Sequence, residues 1–255
     1  MIKSNLKLSP DNPLRPLTSL LSFLNFAKGC NCGFGHLFAY DADDAVAFKL
    51  LGFSPSDLER REINWYDIQI QKSLPEIFML FSEASTDELT RRALNQTINF
   101  YRASNASRRV SIEMSIIAAH SALEAIVHYI LGYRAGWSKP LMKNRTIAFA
   151  DKSRAATLHF GIEGDLLSMS PELSKFSSEN SNIDVFEIIS QFRNRLVHQD
   201  TKGALSGIQL HESWLISQWL VEVLVFGVIG YRGTIIDRRA YGEWRGTTCQ
   251  VPLSR

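Results

Sequence analysis

The chain has 255 residues, 45% hydrophobic and 21% charged, with 28 basic side chains against 26 acidic ones. These values exclude a disordered, collagen-like or disulfide-scaffold protein, and they leave no global field to attract nucleic acid or an anionic membrane. Any nucleic-acid chemistry must therefore come from a local site. Cys30, Cys32 and Cys249 cannot all pair within one chain, which points to a reducing compartment. The N-terminus leads into a Pro-rich polar stretch, not an apolar signal segment. The most apolar run, Trp219 to Ile229, carries Glu222 and falls short of the roughly 20 residues of a membrane span. A cytoplasmic protein with no membrane partner is expected.

In chain order, residues 1–75 are punctuated by Pro10, Pro13, Pro16, Pro55 and Pro75. Leu17 to Phe26 is apolar enough for a short buried helix, which Gly29, Gly33 and Gly35 interrupt. His36 to Tyr40 reads as a strand. Ala42 to Leu51 reads as a second short helix, with Asp41, Asp43 and Asp44 at its start. This irregular α+β segment is too small for a complete domain and reads as the remnant of a larger one. From residue 76 onward helical signals are long. One helix is predicted from Thr86 to Ala103, with Asp87 and Glu88 in its first turn. A second runs from Ser107 to Leu131 and ends at Gly132. Its stripe of Ile112, Ile116, Ala119, Leu123, Ile126 and Ile130 repeats at helical spacing. Residues 134–182 are broken and polar, with one or two short helices. Further helices are predicted from Ile183 to His198 and from Ser206 to Tyr231. The fold class is mainly α: a bundle of four or five helices over residues 76–255.

The chemistry-bearing segment is Gln191-Phe192-Arg193-Asn194-Arg195-Leu196-Val197-His198. Asn194 and His198 stand one turn apart on one side of a helix. Arg193 lies about 140° round from His198, within reach of its long side chain. A guanidinium fork suits phosphate oxygens, and an imidazole exchanges protons near neutral pH. The same residues would also serve as an ordinary solvated helix face.

The R-N-x-x-x-H motif near the end of a late bundle helix resembles that of the HEPN superfamily. Ala118-Ala119-His120-Ser121-Ala122-Leu123-Glu124-Ala125 is similar to the second-helix region of those domains. Val228-Ile229-Gly230-Tyr231-Arg232-Gly233 is similar to the end of the last helix in the ApeA-like branch, which serves in antiphage defence. Leu20 to Leu24 is similar to the end of that branch's N-terminal domain. The resemblance covers about residues 76–240. It implies a metal-independent endoribonuclease, with Arg193 and His198 as the catalytic pair and Asn194 as the polar motif residue. It also implies a homodimer in which both motifs line one cleft, RNA as substrate and no cofactor. The alternative is a non-catalytic HEPN module that binds nucleotide, RNA or a protein partner.

Glu124, in an otherwise apolar helix, needs a cation, and Arg193 is the expected partner that it would orient. His120, Glu124 and His128 share a helix face and are a weaker candidate metal set. Cys30, Cys32 and His36 read as ordinary residues of a glycine turn. Arg91-Arg92, Arg108-Arg109 and Arg238-Arg239 are candidate phosphate contacts. The stretch 231–255, with 5 arginines against 2 acids, is the expected basic patch. Trp137 and Trp244 are candidates for base stacking, whereas Trp214 and Trp219 read as core. His159 and His211 have no partner visible in the sequence.

Overall fold

The computed structural model describes residues 17–33, 35–41, 43–51, 64–198, 204–240 and 247–254. Its architecture grows from one helix, α4 (Ile112–Tyr129), continued by a π turn over Ile130–Arg134. Around α4 pack α3 (Glu88–Ser107), α6 (Phe149–His159), α8 (Val185–His198) and α9 (Gly207–Ile229). The predicted stripe explains this position. Ile116, Ala119, Leu123, Ile126 and Ile130 are all buried, and Ile112 packs against the core from its edge. The long helices begin where side chains satisfy the free amides of their first turn. Asp87 accepts from the Thr90 amide, and Ser111 accepts from the Met114 amide. Ser206 and Gln209 cap α9 reciprocally, and Gly230 ends it in the left-handed conformation.

The mainly α class predicted from the sequence is the observed one, with nine α-helices among the described residues. The short helices differ. Residues 134–182 hold three, α5 (Lys139–Lys143), α6 and α7 (Pro171–Glu179). The helix expected over Ala42–Leu51 is a strand, β2 (Val46–Leu51), paired antiparallel with β1 (His36–Tyr40). The acids before it make a turn and not a helix start. The Asp41 carboxylate accepts from the amides of both Asp43 and Ala45. A second antiparallel pair, β3 (Thr234–Ile236) and β4 (Thr248–Gln250), follows α9 and was not predicted.

The boundary expected between residues 75 and 76 falls inside α2 (Leu74–Ala84). Before it, α1 (Thr18–Lys28) contributes Phe23 and Phe26 to the same core as α9. Phe26 meets Tyr101 and Phe226, and the buried Trp65 donates its indole N–H to the Phe26 carbonyl. α1 stops at Gly29 in the left-handed conformation, where a Cβ would come within 2.6 Å of the Asn105 amide nitrogen that donates to the Gly29 carbonyl.

From Leu210 onward α9 is almost wholly buried. Together with residues 112–134, it is long and apolar enough to cross a membrane, each with mean hydropathy 1.4. The run Trp219 to Ile229 therefore understated its apolar length. In the fold, 94% of the apolar α9 window is buried inside the protein, as in a core helix. Glu222 sits in the middle of it, fully buried, with its carboxylate 2.8 Å from the Arg238 guanidinium. Tyr101 donates its hydroxyl to the same carboxylate at 2.6 Å. Burial pushes the Glu222 carboxyl up, against the opposing pull of Arg238, Tyr101 and the Trp65 backbone amide.

Removing one member of a buried pair strands the other charge. Glu222→Leu is expected to cost about 3–5 kcal/mol in urea unfolding. Glu222→Leu combined with Arg238→Met should recover most of that loss. Additive losses in the double variant would show that the two side chains are not coupled.

Candidate functional site

α8 is positioned from its N-terminus. Asp184 accepts from the Glu187 amide and binds Arg154 of α6 at 2.5 Å, fixing the start of α8 against α6. Val185, Ile188, Ile189 and Phe192 are buried at helical spacing, with Phe186 beside them. That stripe stops at Phe192. The motif begins at the next residue and rides on the last turn and a half of the helix.

Arg193 is half-buried, and Asn194 and His198 are exposed. The Arg193 guanidinium donates to the Asn194 side-chain oxygen at 3.1 Å. His198 is the last residue of α8, one turn beyond Asn194 on the same side. Arg195 turns away, its guanidinium 5.4 Å over the Phe176 ring of α7. Of the two arginines, only Arg193 is therefore on the α4 side of the motif. It stands close enough to His120 of α4 to act on that imidazole electrostatically. Burial first, and then the positive charge of Arg193, lower His120 to about 4. The His120 ring also packs on Phe149 of α6, with centroids 4.3 Å apart.

The expected role of Glu124 is not realised. Glu124 is exposed and makes no ion pair with Arg193 among the described residues. The reason is its place on α4. Leu123 and Ile126 carry the buried stripe, and Glu124 falls on the solvent side of it, so its carboxylate needs no partner. His128 is exposed as well, and among the described residues no three His, Cys, Asp or Glu side chains are grouped to hold a metal ion. His120 parts from these two, although all three share a helix face in the sequence. Its spacing from Ile116 and Leu123, four and three residues, was the signal that placed it on the buried stripe next to α8.

The basic pairs divide. Arg91 and Arg92 both bind Glu88. Arg238 lies in the core, and Arg239 binds Asp237 while stacking 3.7 Å over Trp219. The expected basic patch thus loses its central pair to the interior, and Trp244 lies outside the described residues. Trp214 and Trp219 are buried, as predicted. Cys30 is buried, and burial raises the Cys32 thiol to about 11, which suits an unreactive turn residue. His159 meets Phe160 edge-on.

His120 makes stability pH-dependent. The unfolded imidazole takes up a proton near pH 6.5, whereas the folded one does so only near 4. The unfolded state therefore binds more protons between these values. The contribution is fully present above pH 6.5 and is lost as pH falls toward 4. About 2–3 kcal/mol should disappear over that window. Urea unfolding of the parent protein and of His120→Gln across the range tests this, because only the parent should show the extra loss. Parallel curves would show that the folded imidazole titrates normally.

Residues 87–250 match the family described as the YopA C-terminal domain. The chain is also 26% identical over 237 residues to the SPbeta prophage-derived uncharacterized protein YopA of Bacillus subtilis (strain 168). That alignment covers 91% of this chain and 52% of the relative, so the chain spans about half the relative's length. No solved structure matches. The family match runs from the N-cap of α3 through β4 and takes in α4 and α8 with its motif. On that extent, the chain belongs to the YopA C-terminal domain family.

Proposed function

We propose that the protein is a metal-independent endoribonuclease of the HEPN type, acting in the cytoplasm as a toxin or in antiphage defence. One observation carries the reading. Arg193 and Asn194 are joined side chain to side chain at the accessible end of α8, with His198 exposed one turn away. A phosphate-directed acid–base site requires those groups. The prophage origin of the curated relative suits a role in conflict between phage and host.

The reaction needs no group beyond side chains. The ribose 2′-oxygen forms a bond to the adjacent phosphorus, and a neutral imidazole takes its proton. The bond from phosphorus to the 5′-oxygen breaks, and an imidazolium protonates that oxygen. Arg193 spreads the charge that gathers on the non-bridging oxygens. The products are a 2′,3′-cyclic phosphate and a 5′-hydroxyl. His198 can take only one of the two proton roles at a time, so His198 of the partner subunit in a homodimer supplies the other.

A second reading has one observation in its favour. Arg193 lacks the orienting carboxylate expected at Glu124, which suits a HEPN module that binds nucleotide, RNA or a protein partner without cutting.

Labelled RNA incubated with the purified protein in EDTA distinguishes the two. Cleavage should persist in the chelator and yield cyclic-phosphate ends. His198→Ala should reduce it about 10²–10⁴-fold without lowering the melting temperature. Arg193→Lys should retain part of the activity, because the charge remains and the fork is lost. Cleavage of a substrate with a 2′-deoxy residue at the cut site, or abolition by EDTA, would exclude this mechanism. Light scattering should report a dimer at working concentration. A monomer with full activity would remove the need for a partner histidine.

A further inference from the structure

Five arginines among the described residues are neutralised in place. Arg91 and Arg92 share Glu88, Arg154 binds Asp151 and Asp184, Arg238 binds Glu222, and Arg239 binds Asp237. Arg108, in the turn between α3 and α4, is held differently. Its guanidinium lies 3.1 Å from His211 Nδ1 and 5.5 Å over the ring of Trp214, both on α9. His211 in turn stacks on Trp214, with centroids 5.9 Å apart and planes 25° apart. Trp214 is fixed in the core, its indole N–H donated to Ser104 Oγ at 3.0 Å and Ser104 bound to the Ser115 carbonyl. Among the described residues no carboxylate lies within ion-pair distance of Arg108.

The acids nearest in sequence to Ser111 and His211 are engaged elsewhere. Glu113 accepts from Ser111, and Glu212 accepts from the backbone amides of Glu172 and Leu173 at the start of α7. Burial and the Arg108 charge both disfavour the His211 imidazolium, so a neutral ring accepts the guanidinium proton. The cluster therefore orders a cation without cancelling its charge. That combination suits an anion, because the side-chain entropy is already lost and the charge is still available. Arg109, exposed at the next position, adds a second positive charge.

We propose that Arg108, ordered by His211 and Trp214, is a second phosphate-binding point that grips the backbone of a single-stranded RNA away from the scissile phosphodiester. The identity of the ligand rests on the endoribonuclease reading, whereas the uncompensated cation does not. Arg108 stands just before α4, and Arg193 acts on His120, eight residues beyond the start of that helix. Arg108 is thus held at the turn that opens α4, and His120, on which Arg193 acts, lies about 12 Å along that helix from Ile112.

The test uses protein carrying His198→Ala, so that RNA is bound and not cut. Binding of a short labelled single strand is followed by fluorescence anisotropy over a salt series. Adding Arg108→Gln should weaken binding about 3–10-fold near 0.1 M salt and reduce the log–log salt slope by about 0.7, the value for one lost phosphate contact. Arg108→Lys should keep the slope and lose only part of the affinity, and it serves as the probe if the glutamine variant melts early. Unchanged affinity and slope in both variants, with RNA still bound, overturns the site and leaves the nuclease reading standing. Binding that depends on Arg108 without cleavage by the unsubstituted protein supports the site and sinks the nuclease reading. Absence of RNA binding at any salt overturns the site.

Discussion

The buried pair between Glu222 and Arg238 is the constraint on which the fold depends. A helix as apolar as α9 can be enclosed on all sides, but a lone carboxylate inside it would cost several kcal/mol. The solution comes from outside the bundle. The chain leaves α9 at Gly230, forms β3, and returns Arg238 into the core to meet Glu222 and Tyr101. Arg238 also lies over Trp214 at 5.4 Å. One ion pair thus ties α3, α9 and the C-terminal strands together. It also explains why Arg238, in a basic-looking stretch, does not reach the surface.

That same contact links the core to the surface. Trp214 lies beside both an inner cation, the buried Arg238, and an outer one, the half-buried Arg108, so one indole meets the core and the α3–α4 turn. The inner cation is neutralised and structural, and the outer one is ordered and charged. What separates them is carboxylate supply, not residue type. The same distinction applies to α8, where Arg195 packs on Phe176 while Arg193 donates to Asn194 and acts on the His120 ring.

The site on α8 is an end effect of its packing. Four buried residues at helical spacing hold the first part of the helix, and Arg154 with Asp184 fixes its start. The motif occupies the part that the bundle does not need for its core. His120 is the exception, since it is a polar residue on the buried stripe of α4, neutral at physiological pH, with its ring against Phe149.

The sequence by itself determined the mainly α class, the long helices and the motif spacing, because helical periodicity and caps are local properties of the chain. The stripe of α4, the start of α9 at Ser206 and, to within one or two residues, the start of α3 and the end of α9 were legible in this way. Burial of Trp214 and Trp219 followed from the same pattern. Local signals failed where a side chain bonded its own turn, as Asp41 does before β2, and where pairing was distant, as between β3 and β4. Glu124 and His120 show the limit most clearly, since both were candidates on one helix four residues apart. Only the tertiary structure decided that His120 faces Arg193 and Glu124 faces solvent, because the side of α4 that meets α8 is set by packing and not by residue type. It likewise decided that Arg238 is a core residue and Arg108 an available cation, since the nearest carboxylate to each is fixed by chain topology and leaves no trace in local sequence.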